Sequence, residues 1–108
     1  MGGDHLGRFE HFLLLAVIRL GDDAYGMTIR RELAAHTGRD IAVGAIYTAL
    51  ARLERRGLVQ SWLGEPTAER GGKAKRHYRV LAAGRNVLAK AEAALAALSR
   101  DGNARRTS

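Results

Sequence analysis

Hydrophobic residues in the first part of the chain recur with the period of an α-helix. One stripe has the spacing i, i+3, i+4, i+7, i+8 and i+11, which predicts a first helix that ends at Gly21. The members of this stripe are Phe9, Phe12, Leu13, Ala16, Val17 and Leu20. Further apolar residues lie on the other faces of the same helix: Leu6, Leu14, Leu15 and Ile18. A helix that is apolar nearly all round needs covering on two sides, which a domain of this size rarely provides from its own chain.

Two amphipathic segments follow, and a glycine ends each of them. The second helix is predicted from Tyr25 to about Thr37, with its stop at Gly38. The third helix is predicted to begin around Ala42 and to stop at Gly57. Its buried face has the spacing i, i+4 and i+7 and consists of Ile46, Leu50 and Leu53.

The outward face of the third helix carries small, hydroxyl and cationic side chains. These are Ala45, Tyr47, Thr48, Arg52 and Arg55. Such side chains suit close approach to a nucleic acid duplex and hydrogen bonding to phosphates and base edges. An ordinary solvated helix face is the alternative interpretation, because exposed arginine is common.

After the third helix the pattern changes to the alternation that is typical of strands. Leu58 to Leu63 and Arg76 to Leu81 are predicted to form a hairpin whose tip is polar, basic and rich in glycine. The second strand is expected to turn one pair of side chains toward the core and another pair away from it: Tyr78 with Val80, and His77 with Arg79. Trp62, on the first strand, is expected to pack the sheet against the helices.

An alanine-rich segment from Leu81 to about Arg100 predicts a last helix with a narrow apolar seam of heptad spacing. We expect this seam and the spare face of the first helix to meet a second copy of the chain across a two-fold axis. The residues assigned to this dimer contact are Leu6, Leu14, Ile18, Leu88, Ala91, Leu95 and Leu98. The alternative is that both surfaces pack within one monomer. Residues 101–108 are predicted to be a disordered tail.

The chain is strongly basic, with a formal charge of +7 and a pI of about 10.8. Basic residues are concentrated in the hairpin tip, late in the third helix and in the tail: Arg52, Arg55, Arg56, Arg70, Lys73, Lys75, Arg76, Arg79, Arg105 and Arg106. This distribution favours a polyanionic partner. Nucleic acid fits better than a membrane surface, because an interfacial anchor also needs exposed bulky apolar residues.

Composition excludes several other classes of protein. The 46% of hydrophobic residues excludes a disordered chain, and the absence of cysteine excludes a disulfide scaffold and thiolate metal sites. The four histidines lack ligand spacing, so neither a metal nor a cofactor is expected. Asp22 and Asp23 are interpreted as helix caps, and with no nucleophile or acid–base pair the chain is not expected to be an enzyme. With no signal peptide and no apolar run that could span a bilayer, a cytoplasmic location is expected.

From about residue 8 to residue 98 the sequence resembles the PadR family of bacterial transcriptional regulators. The resemblance begins with Tyr25-Gly26, followed by Ile29 and Leu33 on the second helix. It continues with Gly44-Ala45-Ile46-Tyr47, Leu50, Leu53-Glu54 and Gly57-Leu58-Val59, and then with the basic segment Gly71-Gly72-Lys73-Ala74-Lys75-Arg76-His77-Tyr78. Two positions depart from the family pattern. Thr48 stands where proline is frequent, and Ala82-Ala83-Gly84 stands where Thr-x-x-Gly is frequent.

The resemblance implies a mainly α-helical fold with a two-stranded β wing: a winged helix-turn-helix domain over residues 1–81 and a C-terminal dimerisation helix over residues 82–100. It also implies a homodimeric repressor that binds double-stranded DNA at a near-palindromic operator. The DNA-contacting residues expected on this basis are Gly44, Ala45, Tyr47, Thr48, Arg52, Arg70, Lys73, Lys75 and Arg76. An RNA-binding or protein-docking winged helix remains the alternative, and release by a small-molecule effector stays open.

Overall fold

The computed structural model describes residues 6–65 and 74–107, with side chains as far as residue 100. Three helices come first: α1 (Arg8–Leu20), α2 (Gly26–Thr37) and α3 (Val43–Arg55), with a single 3₁₀ turn at Gly21–Asp23. Two antiparallel strands follow, β1 (Val59–Leu63) and β2 (Arg76–Val80), and then a long helix α4 (Ala82–Thr107). The predicted order of elements, mainly α with a two-stranded wing, is confirmed.

One apolar core joins α1, α2, α3 and the sheet. The side chains of Leu13, Ile29, Ile46, Leu50 and Leu53 are fully buried, so the inward faces predicted for the second and third helices are the ones that pack together. The sheet and α4 close the core with Val59, Tyr78, Val80, Val87 and Leu88. Burying aliphatic side chains of this size contributes about 1.5–3 kcal/mol each, which makes this core the main source of stability.

The connection between α2 and α3 is fixed at both ends. Gly38 ends α2 in the left-handed region, with φ of 73°, and its amide donates to the carbonyl of Ala34 at 2.9 Å. Arg30 on α2 then forms a two-pronged pair with Asp40 in the connection, with Nε and Nη2 at 2.8 and 3.1 Å from the carboxylate oxygens. The turn of the helix-turn-helix is therefore held by an αL glycine and a fork-shaped ion pair.

The end of α3 has the hydrogen-bonding pattern of a Schellman motif. Gly57 has φ of 77°, its amide donates to the carbonyl of Glu54, and the amide of Leu58 donates to the carbonyl of Leu53. A residue with a side chain would be strained at this φ, which explains why the helix stops at a glycine. The chain is thereby turned directly into β1.

The start of α2 is closed by a threonine inside the helix. The amide of Tyr25 donates to Oγ1 of Thr28 at 3.0 Å, and the Thr28 hydroxyl lies within hydrogen-bond distance of the carbonyls of Asp23 and Tyr25. No side-chain bond from Asp22 or Asp23 caps the helix, so the assignment of these aspartates as caps is wrong. Thr28 is buried, and this network satisfies its hydroxyl.

The two strands pair in the register Val59↔Val80, Ser61↔Tyr78 and Trp62↔His77. Tyr78 and Val80 are buried, as the alternation predicts. Ala24 and Tyr25 add a short third edge, because the amide of Tyr78 donates to the carbonyl of Ala24 at 2.9 Å and Tyr25 bridges to His77. The expectation that Trp62 packs against the helices is wrong. It lies opposite His77 on the outer face of the sheet, 39% exposed, since the alternation defines two faces without saying which one a lone tryptophan occupies.

The last helix begins against the sheet and is longer than predicted. A Cβ on Gly84 would overlap the carbonyl oxygen of Leu58, so the glycine allows α4 to approach the end of α3 closely. The helix continues to Thr107, and both the predicted end near Arg100 and the disordered tail are therefore wrong as far as residue 107. The last segment contains no proline, and Gly102 alone costs a helix only about 1 kcal/mol.

Two of the predicted dimer residues belong to the core of the monomer. Leu14 and Leu88 are buried among the other core side chains, so neither is available on the surface, and their assignment to a dimer contact is wrong. Helical periodicity identifies apolar faces but does not tell which face the chain covers by itself. Leu6 and Ile18 are partly buried against the core. Leu95 and Leu98 are 58% and 71% exposed.

Candidate nucleic-acid interface

The outward face of α3 is open along the predicted contact positions. Gly44, Ala45, Tyr47, Thr48 and Arg52 are all exposed, while the opposite face of the helix is buried in the core. Gly44 has free space where a Cβ would stand, so the first turn presents little more than backbone. Such a surface can approach a groove closely, as direct contact with base edges requires.

Tyr47 is held against the start of α2. A Cβ on Gly26 would overlap the hydroxyl of Tyr47 and would lie 2.6 Å from Cζ of the ring. The phenol ring therefore fits only because residue 26 is a glycine. Its hydroxyl lies beside the first turn of α2, where unpaired amide groups favour anions, and the side chain remains 42% exposed.

Lys75, at the base of the wing, is held by the residue next to that glycine. Its Nζ donates to the hydroxyl of Tyr25 at 3.4 Å and lies 4.4 Å from the centre of the Tyr25 ring. Both contacts orient the ammonium group while leaving it exposed. Tyr25 and Gly26 thus bring one predicted contact residue of α3 and one of the wing to the same place.

Arg76 is anchored through a chain of hydrogen bonds that ends on α3. Its Nη1 donates to Oγ of Ser61 at 3.1 Å, and the Ser61 hydroxyl donates to the carboxylate of Glu54 at 2.9 Å. The amide of Ser61 also donates to Glu54, at 3.3 Å. This chain joins β2, β1 and α3, so the guanidinium of Arg76 has a defined position relative to the helix.

Two hydroxyl groups near the interface have restricted chemistry. Thr48 donates its hydroxyl proton to the carbonyl of Gly44 at 3.0 Å, which leaves its methyl group and its lone pairs for other contacts. Burial, together with the nearby Tyr47, raises the pKa of Tyr78, whose neutral phenol therefore belongs to the core of the sheet.

All five predicted contact positions of α3 are exposed, and the structure links two wing residues to this helix: Lys75 to Tyr47 through Tyr25 and Gly26, and Arg76 to Glu54 through Ser61. Arg70 and Lys73 lie outside the described residues. The sequence did not assign site roles to Tyr25, Ser61 or Glu54. Tyr25-Gly26 was visible as a family motif, but nothing in the sequence indicated that it contacts both partners. The Glu54–Ser61–Arg76 chain depends on strand register, which the sequence alone does not supply.

A second exposed surface lies between α1 and α4. It is a groove of about 540 Å³. Its apolar lining contains four of the predicted dimer residues, Leu6, Ala91, Leu95 and Leu98, together with Phe12 and Leu15. At its edge Nε2 of His11 lies 2.6 Å from the carboxylate of Glu92, which ties the two helices together.

Residues 14–90 match the family described as the transcriptional regulator PadR-like family. The chain belongs to the PadR-like family of transcriptional regulators. A PadR family regulator from Eggerthella lenta is 30% identical, with 86% of this chain and 80% of that chain covered and a TM-score of 0.62. The resemblance predicted from Tyr25-Gly26 and the α3 motif is thereby confirmed, and with it the non-enzymatic class.

Two further solved structures share the fold of this PadR-like chain. A PadR-like regulator from Bacillus cereus is 20% identical, covering 91% of both chains with a TM-score of 0.68. A transcriptional regulator from Thermoplasma acidophilum is 21% identical, covering 94% of this chain and 98% of that one, also with a TM-score of 0.68. No curated protein matches the chain. Within the described residues no helix is long and apolar enough to cross a membrane.

Proposed function

We propose that this PadR-like regulator is a homodimeric winged helix-turn-helix repressor that binds a near-palindromic operator in the cytoplasm. The observation that carries the proposal is the convergence of Tyr47 from α3 and Lys75 from the wing on the adjacent residues Tyr25 and Gly26. Because α3 and the basic wing both contact Tyr25-Gly26, they have a fixed relative position. The helix can then lie in a DNA groove while the wing contacts the neighbouring backbone.

In this proposal the N-terminal half of α3 enters the major groove. Gly44 and Ala45 allow the backbone to approach the bases, and the methyl group of Thr48 suits contact with a thymine methyl, since its hydroxyl proton is used within the helix. Tyr47, held beside the first turn of α2, donates to a phosphate and so fixes the register of the helix. Arg52 reaches the backbone from the next turn.

The wing supplies charge rather than base recognition. Lys75 and Arg76 are exposed, and each donates a hydrogen bond to a neutral hydroxyl group, that of Tyr25 and that of Ser61 respectively. Both cations therefore remain available to phosphates or to the minor groove. Arg70 and Lys73 are proposed as further contacts of the wing tip on the basis of sequence alone. Two copies of the chain place two reading helices about one helical turn of DNA apart, roughly 34 Å, or a multiple of it.

Duplex DNA is favoured over single-stranded RNA because the aromatic rings near the wing already have other side chains packed on their faces. Recognition of single strands needs exposed ring faces on which bases stack. The ring of Trp62 is already stacked on His77 at 5.7 Å and covered by Arg79, and the ring of Tyr25 already carries Lys75. A protein-docking module without nucleic acid would have no use for this concentration of cations.

A footprint on the DNA upstream of the protein's own gene tests the proposal. We expect a protected palindrome whose half-sites are separated by about one helical turn or a multiple of it. Binding to duplex DNA should exceed binding to single-stranded RNA of equal length across a salt titration. Absence of protection on any genomic fragment would contradict the proposal.

The role of Lys75 is tested by the salt dependence of binding. Lys75→Ala is expected to lower the slope of log affinity against log salt by about 0.9, without changing sequence preference, because one phosphate contact is lost. Arg85→Ala is the matched control, since it removes an exposed cation from α4, where no contact is proposed. Equal slopes for wild type and Lys75→Ala would exclude Lys75 as a phosphate contact.

A further inference from the structure

Three aromatic rings lie side by side on the outer face of the sheet. One comes from β1, one from β2 and one from the residue that bridges to β2 just before α2. We call Tyr25, His77 and Trp62 the ring row. The rings of Tyr25 and His77 meet edge to face with their centres 5.5 Å apart. Those of His77 and Trp62 are stacked at 5.7 Å with an angle of 21° between their planes. His77 is therefore the member through which the segment before α2 is connected to β1.

Each outer member of the ring row holds a cation of the wing. Tyr25 carries Lys75, with Nζ 4.4 Å from the ring centre. Trp62 carries Arg79, whose Cζ lies 5.8 Å from the indole centre and whose Nε and Nη2 donate to Oε1 of Gln60 at 3.1 and 3.0 Å. Both cations therefore contact a ring that is itself packed against His77.

The imidazole of His77 is held in place by packing. A Cβ on Gly64 would lie 2.7 Å from Cδ2 and 2.8 Å from Nε2, so one edge of the ring packs directly on the backbone of β1's end. Its Nδ1 is the one buried side-chain nitrogen or oxygen without a hydrogen-bond partner in the described part of the chain. The ring is therefore held by its contacts with Tyr25, Trp62 and Gly64 rather than by a hydrogen bond at Nδ1.

We propose that His77 is a positioning residue of the wing, which fixes β2 against Tyr25 and Trp62 and so holds Lys75 for contact with DNA phosphates. The DNA part of this inference rests on the proposed function, because Lys75 is a DNA contact only there. The ring row itself can be tested without DNA.

The first experiment follows Trp62, the one tryptophan of the chain, in the free protein. Quenching of its fluorescence by acrylamide is compared for wild type, His77→Ala and His77→Phe at one pH. In His77→Ala the indole of Trp62 loses the ring stacked on it and is expected to become more accessible to the quencher, whereas His77→Phe, which keeps a ring, is expected to match wild type. His36→Gln is the control and should also match wild type. Equal quenching in wild type and His77→Ala would overturn the proposal.

The second experiment measures the coupling of His77 to Lys75. Binding to a mixed-sequence DNA duplex is titrated with salt for wild type, His77→Ala, Lys75→Ala and the double variant. Each single change is expected to lower the salt slope by about 0.9, the double variant no further, and His77→Phe should keep the wild-type slope. If Lys75→Ala lowers the slope equally with and without His77, the positioning role is refuted.

Two controls keep the outcomes separate. If His77→Ala does not fold, as judged by its thermal melt, Gly64→Ala replaces it, because the added Cβ displaces the same ring. If wild type shows no salt-dependent affinity for duplex DNA, the proposed function fails. The acrylamide experiment then still decides whether His77 holds the ring row together.

Discussion

At the scale of single residues, Gly26 and Tyr47 belong to two separate sequence motifs that contact each other in the folded chain. The sequence presents Tyr25-Gly26 on one helix and Gly44-Ala45-Ile46-Tyr47 on the next. In the folded chain the phenol of Tyr47 occupies the space that a side chain at position 26 would need. Glycine is therefore required at position 26 by a neighbour rather than by its own backbone, since Gly26 has no positive φ.

We predict opposite effects of alanine at Gly26 and at Gly44. Gly26→Ala is expected to lower the free energy of unfolding by about 1–3 kcal/mol, because its Cβ overlaps the Tyr47 hydroxyl, and to weaken DNA binding by moving that ring. Gly44→Ala meets no atom within 4 Å and should stabilise α3 by about 0.5–1 kcal/mol. Chemical denaturation measures both values.

The double variant tests the cause of the effect at Gly26. When Tyr47 is already alanine, the clash is absent, and the Gly26→Ala change should then cost nothing in stability or DNA affinity. If Gly26→Ala destabilises the chain equally in the presence and absence of the Tyr47 ring, the contact between the two residues is not what requires glycine.

At the scale of elements, the sequence predicted each helix and strand but not how their faces are used. Periodicity placed Ile46, Leu50 and Leu53 inward correctly, because a stripe on a single amphipathic helix has only one apolar side to bury. It failed for Trp62 and for Leu14. A strand has two faces, and a helix that is apolar all round has more than one apolar side, so an apolar residue on either can be buried or exposed. Only tertiary packing decides which side faces the core. The bridge at Tyr25 was beyond prediction, because one paired residue leaves no alternating pattern.

The turn between α2 and α3 gives a prediction about pH. Hydrogen bonding to Arg30, together with its positive charge, lowers the pKa of the Asp40 carboxyl below its usual range. The folded-state pKa is thus below that of the unfolded chain, so the pair stabilises the fold above the ordinary aspartate range. This stabilisation is lost as the pH falls through the lowered pKa. The contribution is small, because both side chains are exposed to solvent and salt.

Asp40→Asn is the variant that isolates this contribution. It should be slightly less stable than wild type near neutral pH, and the difference should shrink as the pH falls below about 3.9, the ordinary value for aspartate. Added salt should reduce it as well. Asp22→Asn serves as the control, since Asp22 has no ion pair among the residues that the structure describes. A difference between wild type and Asp40→Asn that is constant with pH would assign the effect to packing instead.

At the scale of the whole molecule, the chain separates a DNA-facing side from an apolar side. The exposed face of α3 and the base of the wing carry the small, hydroxyl and cationic side chains. The groove between α1 and α4 is lined mostly by leucine, alanine and Phe12, with Arg8, His11 and Lys90 as its charged or polar members. Leu95 and Leu98 stand exposed in this groove although they are as apolar as the core residues. An exposed apolar surface of this kind is typical of a contact with a partner, and a second copy of the chain is the partner that the proposed near-palindromic operator would require.

We predict that Leu95→Glu converts the proposed dimer to a monomer without unfolding it. Each leucine that is buried at an interface contributes about 1.5–3 kcal/mol, and a two-fold axis places the substitution in both copies, so the dimer dissociation constant should rise by at least about a hundredfold. Leu95 lies outside the buried core, and the thermal melt extrapolated to low protein concentration should change little. Sedimentation velocity over a concentration series measures the assembly directly.

Leu63→Glu is the matched control for this experiment, because Leu63 is equally exposed, at 62%, but lies on β1, away from the groove. It should remain dimeric. The DNA result follows from the same logic, since a monomer presents one α3 and can occupy only one half-site. Leu95→Glu should therefore bind an isolated half-site as wild type does and lose the gain that wild type obtains from two linked half-sites. A wild type that sediments as a monomer, or a Leu95→Glu variant that stays dimeric, would place the two-fold contact elsewhere.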